Sequence, residues 1–132
     1  MSQAVTDGKK QRASRGTSFT SQNKLRKPAE FKRVFKKPFV STDACFKVLA
    51  RPGEVEQSRL GMAVSRQVDK RAVGRNRIKR VIRESFRRRY TPEKKPLDIV
   101  VLPKREAATI CNKRLDRSLQ GHWSRLDNQF EG

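Results

Sequence analysis

The segment Arg71 to Tyr90, RAVGRNRIKRVIRESFRRRY, constrains this 132-residue chain more than any other. It carries nine Lys or Arg residues and one acid, Glu84, yet it keeps an apolar period. Wound at 3.6 residues per turn, it places Ile78, Val81, Ile82 and Phe86 on one face and Asn76, Arg80, Arg83 and Arg87 on the other. Such a helix packs on a core with one side and shows a row of guanidinium groups on its far side. Guanidinium forks pair with phosphate oxygens two bonds at a time, so the outer row is suited to a polyanion.

The rest of the composition agrees. A formal net charge of +20 opposes compaction unless a polyanion neutralises it, and nucleic acid is the usual one, ahead of an anionic membrane surface. No apolar run approaches the roughly 18 residues of a membrane span, and the N-terminus lacks the apolar stretch of a secretory signal. Cys45 and Cys111 show no metal-ligand spacing and read as two buried thiols in a reducing compartment, which places the chain in the cytoplasm.

Residues 1–22 are rich in Ser, Thr, Gly, Lys and Arg and read as a flexible basic extension, because they cannot bury enough apolar surface to order themselves. Residues 23–130 read as one domain. A first helix begins at Pro28, with Phe31, Val34 and Phe35 as its apolar stripe, and Pro38 stops it. Phe39–Thr42 reads as a short edge strand. Phe46–Arg51 alternates, with Phe46, Val48 and Ala50 on one face and Lys47, Leu49 and Arg51 on the other. Arg59–Arg66 alternates again, setting Leu60, Met62 and Val64 against Gly61, Ala63 and Ser65. That second face is all small residues, so another part of the molecule can approach it closely. The basic helix spans about Lys70 to Arg89. Leu97–Leu102 is apolar at nearly every position, as in a central strand covered on both faces. A last helix runs to near Phe130 on a stripe of Leu115, Leu119, Trp123, Leu126 and Phe130, and the lone histidine, His122, reads as structural or solvent-facing. The fold class is α+β: a mixed four-stranded sheet with helices packed on it, in the order αβββαβα.

Residues Ala72-Val73-Gly74-Arg75-Asn76-Arg77-Ile78-Lys79-Arg80 resemble the signature, often called the RNR motif, of the protein component of bacterial ribonuclease P. The preceding RLGMAVSRQVDKRAV, the trailing IRESFR, the later LDIVVLPK and the Phe31/Phe35 pair fit that family in order and spacing, so the likeness runs from about Leu25 to Trp123. Gly74 departs from it, since the family usually has a larger residue there. The resemblance implies a left-handed βαβ crossover through the basic helix, against the right-handed default for parallel strands. It also implies the protein subunit of a ribonucleoprotein endoribonuclease that removes the 5′ leader of precursor tRNA. The chemistry would be carried by an RNA subunit that also holds most of the Mg2+. By the same resemblance Arg71, Arg75, Asn76, Arg77, Lys79, Arg80, Arg83 and Arg87 meet the catalytic RNA. Phe31, Phe35, Phe46, Lys47 and Val48 receive the single-stranded leader.

The residues themselves support that division of labour. Exposed aromatic rings suit a leader of variable sequence, because every base offers a π-face. A protein active site for phosphodiester hydrolysis needs a base, a stabiliser of developing charge, or carboxylates holding metal. One histidine and thirteen acids without ligand spacing supply none of these. The alternative reading is a ribosomal or general RNA-chaperone protein without linked catalysis. It suits the charge equally well but needs neither the RNR helix nor the Phe31/Phe35 pair.

Overall fold

A strand that is apolar on both faces needs neighbours on both edges and cover above and below. In the computed structural model, which describes residues 24–25, 27–53, 55–90 and 95–130, Leu97–Pro103 has all of these. The elements run α1 (Pro28–Phe35), β1 (Phe39–Thr42), β2 (Phe46–Pro52), β3 (Arg59–Met62), α2 (Ala72–Arg89), β4 (Leu97–Pro103), a 3-10 turn (Arg105–Thr109) and α3 (Asn112–Phe130). The sheet order is β1-β2-β4-β3. β1–β2 and β2–β4 are antiparallel, and β3–β4 are parallel and joined through α2. Element order and mixed sheet are those expected. β3 is shorter than the Arg59–Arg66 alternation suggests. It ends at Met62, and by Ser65 the chain has turned, its carbonyl accepting from Val68 N at 3.1 Å. The basic extension expected at 1–22 lies outside the described residues.

Two cores sit on opposite faces of the sheet. The larger gathers Phe46, Val48, Ala50, Leu60, Ile99 and Val101 against Ile78, Ile82 and Phe86 of α2 and Leu115, Leu119, Trp123 and Leu126 of α3. Trp123 is fully buried, its Nε1 donating to Ser85 Oγ at 2.8 Å. The smaller core joins Leu25, Val34, Leu49 and Val100, with Phe31 and Leu102 at its margin, under α1. α1 starts with Pro28 and with the Lys27 amide bonded to Glu30 Oε1 at 3.0 Å. It ends where Lys37 takes a left-handed conformation (φ 54°) ahead of Pro38.

The strand register sorts α1's side of the sheet into rows. Arg51, Asp98 and Arg59 stand side by side. Val40, Leu49, Val100 and Gly61 form the next row, and Thr42, Lys47 and Leu102 the third. In the first row Asp98 is fully buried and accepts two bonds from Arg59 (Nε 3.0 Å, Nη2 2.8 Å) and one from Arg33 of α1 (2.6 Å). Arg59 also reaches Glu30 at 2.7 Å, and Arg51 donates to the carbonyls of Arg33 and Lys36. In the second row Gly61 lacks the Cβ that would stand 2.6 Å from Phe31 Cε1, so the ring lies directly on β3. This is the close approach that the small-residue face anticipates.

On the other side of the molecule, fully buried His122 joins α3 to the β1–β2 turn. Its Nδ1 is hydrogen-bonded with Ser41 Oγ at 2.7 Å and lies 3.3 Å from Arg125 Nη1, while Nε2 lies 3.2 Å from Asp43 Oδ1. Burial lowers the imidazole pKa more than Asp43 raises it, and Arg125 and Lys104 add to the lowering. Burial alone would raise the Asp43 carboxyl. The Ser118 hydroxyl, the Phe46 and Cys45 amides and His122 outweigh that and hold it at about 2. The thiols depart from expectation: Cys45 is only partly buried and Cys111 is exposed. Cys111 precedes α3, where the Arg114 and Lys113 amides bond its sulfur and lower its pKa.

Asp98→Asn removes the charge that two arginines surround. It should cost about 3 kcal/mol in urea unfolding, and a loss under about 1 kcal/mol would contradict the clamp described here. Asp43 has a depressed folded pKa, so its contribution is complete above the unfolded value and is lost as pH falls from about 4 towards 2. Asp43→Asn should therefore remove about 1–2 kcal/mol of stability at pH 7. It should also flatten the acid limb of a stability–pH profile in that window, and an unchanged slope would contradict the assignment.

Candidate nucleic-acid interface

α2 meets the body of the protein through Ile78, Ile82, Ser85 and Phe86, and its outer face is exposed. Asn76 and Arg80 are exposed there, Lys79 and Arg83 are partly so, and none of the four side chains has a hydrogen bond or ion pair to the described residues. Val73, 71% exposed, extends the row one turn towards the N-terminus and adds an apolar contact that charge counting passes over. Arg87 lies on the same side but pairs with Glu84 one turn back. Arg88 and Arg89 turn to α3, pairing with Asp116 and Asp127.

Two arginines of the signature face inward. Arg75 Nη1 donates to the carbonyls of Asp69 (3.0 Å) and Lys70 (2.9 Å), fixing the loop that enters α2. Arg77 reaches the other way, to the carbonyls of Ile110 (3.1 Å), Ala107 (3.3 Å) and Ala108 (3.3 Å) and to Asn112 Oδ1 (2.6 Å). It thereby ties the 3-10 turn and the start of α3 to α2. The period of the basic residues does not distinguish these two from their outward neighbours. Their donors are taken up by backbone carbonyls that only the fold brings near. Gly74 sits between them for a related reason: a Cβ there would stand 1.9 Å from Asp69 Oδ2. Without it the Asp69 carboxylate folds onto the first turn of α2, where Oδ1 accepts the Arg71 amide at 2.9 Å.

The second candidate surface is the open part of α1's side of the sheet. Phe35, at the end of α1, is 49% exposed, and Val40 on β1 is 44% exposed. The row Thr42, Lys47 and Leu102 runs beyond Leu49 and Val100 of the second row, with Lys47 and Thr42 exposed and Leu102 partly so. Phe31, seated on Gly61, closes the covered end. Phe46 and Val48 do not belong here. Both are fully buried in the large core, facing α2 and α3. Strand alternation correctly separates Phe46 and Val48 from Lys47 and Leu49, but it does not say which face turns to α1. Val40 and Leu102 take the places that Phe46 and Val48 were expected to fill. Their signal was the pairing register, which a single strand does not display.

Seven carboxylates among the described residues are committed to internal partners: Glu30, Asp43, Asp69, Glu84, Asp98, Asp116 and Asp127. No group of three or more His, Cys, Asp or Glu among the described residues is placed to hold a metal ion.

The inward arginines should behave as structural groups. Arg75→Ala or Arg77→Ala should each cost about 1–3 kcal/mol in thermal or urea unfolding, since each guanidinium holds two or more backbone carbonyls of a flanking segment. Arg80→Ala should stay within about 0.5 kcal/mol of the parent. Equal effects at all three positions would contradict the distinction between inner and outer arginines.

Comparison with known proteins places these surfaces in context. Residues 19–127 match the family model described as Ribonuclease P. The chain is 39% identical over 117 residues to the ribonuclease P protein component of Methylococcus capsulatus, covering 89% of this chain and 91% of that protein. Among solved structures it is similar to the RNase P protein of Staphylococcus aureus (TM-score 0.67, 30% identity, 75% of this chain and 90% of that one). It is equally similar to that of Thermotoga maritima (TM-score 0.66, 30% identity, 77% and 96%).

Proposed function

The chain belongs to the ribonuclease P protein family, and from that premise we propose how its two surfaces divide the work of a ribonucleoprotein that matures the 5′ end of tRNA. The outer face of α2 docks on the catalytic RNA. Arg71, Lys79, Arg80, Arg83 and Arg87 supply charge, and Asn76 supplies a group that both donates and accepts. The inward bonds of Arg75 and Arg77 support a positioning role for this pair within the same interface. Each phosphate neutralised releases counterions, so docking weakens steeply as salt rises.

The open side of the sheet takes the single-stranded leader of precursor tRNA. Phe35, Val40 and Leu102 offer apolar surface to unstacked bases, Phe31 closes the end, and Lys47 lies beside the backbone path. The single observation that carries this reading is the exposure of Phe35 and Val40 beside an otherwise well-buried core. Apolar surface left open next to basic residues suits splayed bases better than a duplex.

The bond-breaking step belongs to the RNA partner, and so do the Mg2+ ions it uses. The commitment of seven carboxylates among the described residues to internal partners supports that assignment. The protein works in the cytoplasm, where its RNA partners are made, and no helix among the described residues is long and apolar enough to cross a membrane. The domain corresponds to residues 23–130, with 1–22 as a basic extension.

Phe35→Ala tests the leader surface. Binding to precursor tRNA by the assembled ribonucleoprotein should weaken by about 1–3 kcal/mol, while mature tRNA, which lacks the leader, should bind as before. Equal loss for both tRNAs would remove the leader from this surface.

A further inference from the structure

A groove of about 940 Å3 opens beside the first turn of α2, between the loop at 66–71 and the 3-10 turn at 105–109. Its floor includes Val68 and Ala108, both partly buried. Around it stand Arg66, Lys70, Arg71 and Arg105, all exposed. The one acid in the lining, Asp69, is already engaged by the Arg71 amide and guanidinium. The balance of charge around the opening is therefore strongly positive over an apolar base.

The two walls are held from behind by the signature helix. Arg75 bonds the carbonyls of Asp69 and Lys70 in one wall. Arg77 bonds those of Ala107 and Ala108 in the other. Gly74 makes room for the Asp69 carboxylate that folds the first wall onto α2. Neighbouring motif positions thus fix both sides of one cavity, which suits a site that must keep its width.

We propose that this groove receives an unpaired nucleotide of an RNA strand, its base against Val68 and Ala108 and its flanking phosphates on Arg66, Lys70, Arg71 and Arg105. The chemistry of the two parts selects the occupant. A duplex offers a phosphate ridge but keeps its base faces stacked, leaving the apolar floor unused, whereas an extruded base supplies a flat apolar face between two phosphates. The inference rests on the reading of α2 as an RNA-docking helix and adds a receptor at its root. Either the catalytic RNA or the precursor tRNA offers the required nucleotide, and the test separates them.

The experiment measures binding of the full chain to a bacterial ribonuclease P RNA, and of the assembled complex to precursor tRNA, across a salt series. Arg66→Ala/Arg105→Ala should weaken one of the two by about 10-fold or more and lower its log–log salt slope by about one to two. Ala108→Trp, which fills the groove without changing charge, should weaken the same interaction with the slope kept. Arg114→Ala/Arg117→Ala removes the same charge from the exposed face of α3 and should have a clearly smaller effect. A loss confined to the catalytic RNA, or to precursor tRNA, supports the groove and names its source. The groove proposal is overturned if the two double variants behave alike, or if a folded Ala108→Trp protein binds both RNAs like the parent. If the unaltered chain neither binds nor activates the catalytic RNA, the proposed function itself fails and the groove with it.

Discussion

A carboxylate with no solvent exposure, in the middle of a sheet, decides how this molecule is arranged. Asp98 is costly to bury as an ion and is stable only because Arg59 grips it with two bonds and Arg33 adds a third. Arg33 belongs to α1, so satisfying Asp98 fixes a helix of only eight residues across strands whose row of apolar contacts would not by itself define its position. With α1 anchored over the first two rows, the row of Thr42, Lys47 and Leu102 stays open. The exposure of Phe35 and Val40 follows from the same constraint. One ion cluster thus sets the boundary between core and accessible surface.

The opposite face follows a different logic. α2 and α3 bury most of the core there, and α2 must also carry a dense row of cations. The chain limits self-repulsion by spending some of them internally. Arg88 and Arg89 neutralise acids of α3, Arg87 pairs with Glu84, and Arg75 and Arg77 satisfy carbonyls of flanking segments. The side chains of Asn76, Lys79, Arg80 and Arg83 keep no such internal partner among the described residues. A basic helix of this kind is a joint as well as an exposed cationic face, holding the entry loop, the 3-10 turn and the start of α3 in one piece.

How far the sequence foretold this depends on which physical signal each feature leaves. Helical and strand periods leave a strong one, so the element order, the buried β4 and the stripe of α3 were legible. The small-residue face at Gly61 also announced a close approach, and Phe31 supplies it. Pairing between strands leaves almost none, so Phe46 and Val48 were assigned to the wrong side of the sheet and Val40 was overlooked. Hydrogen bonds from long side chains to distant carbonyls leave none at all. The inward turn of Arg75 and Arg77 therefore could not be distinguished from the outward turn of Arg80, and the two arginines that grip Asp98 could not be named. Gly74 was visible as a departure from the family pattern, but its reason, the Asp69 carboxylate above it, needed the folded loop. Cys111 was read as buried because thiols usually are, whereas its place at the start of α3 leaves it exposed.

The central claim is that this chain contributes binding and geometry to an RNA that does the chemistry. Its most direct test is cleavage of a 5′-leader precursor tRNA by a bacterial ribonuclease P RNA at low Mg2+, with and without the protein. The account predicts that the protein switches on cleavage at the correct 5′ position, and that the protein freed of RNA cleaves nothing. Cleavage by the protein alone, or a catalytic RNA indifferent to its presence, would contradict it.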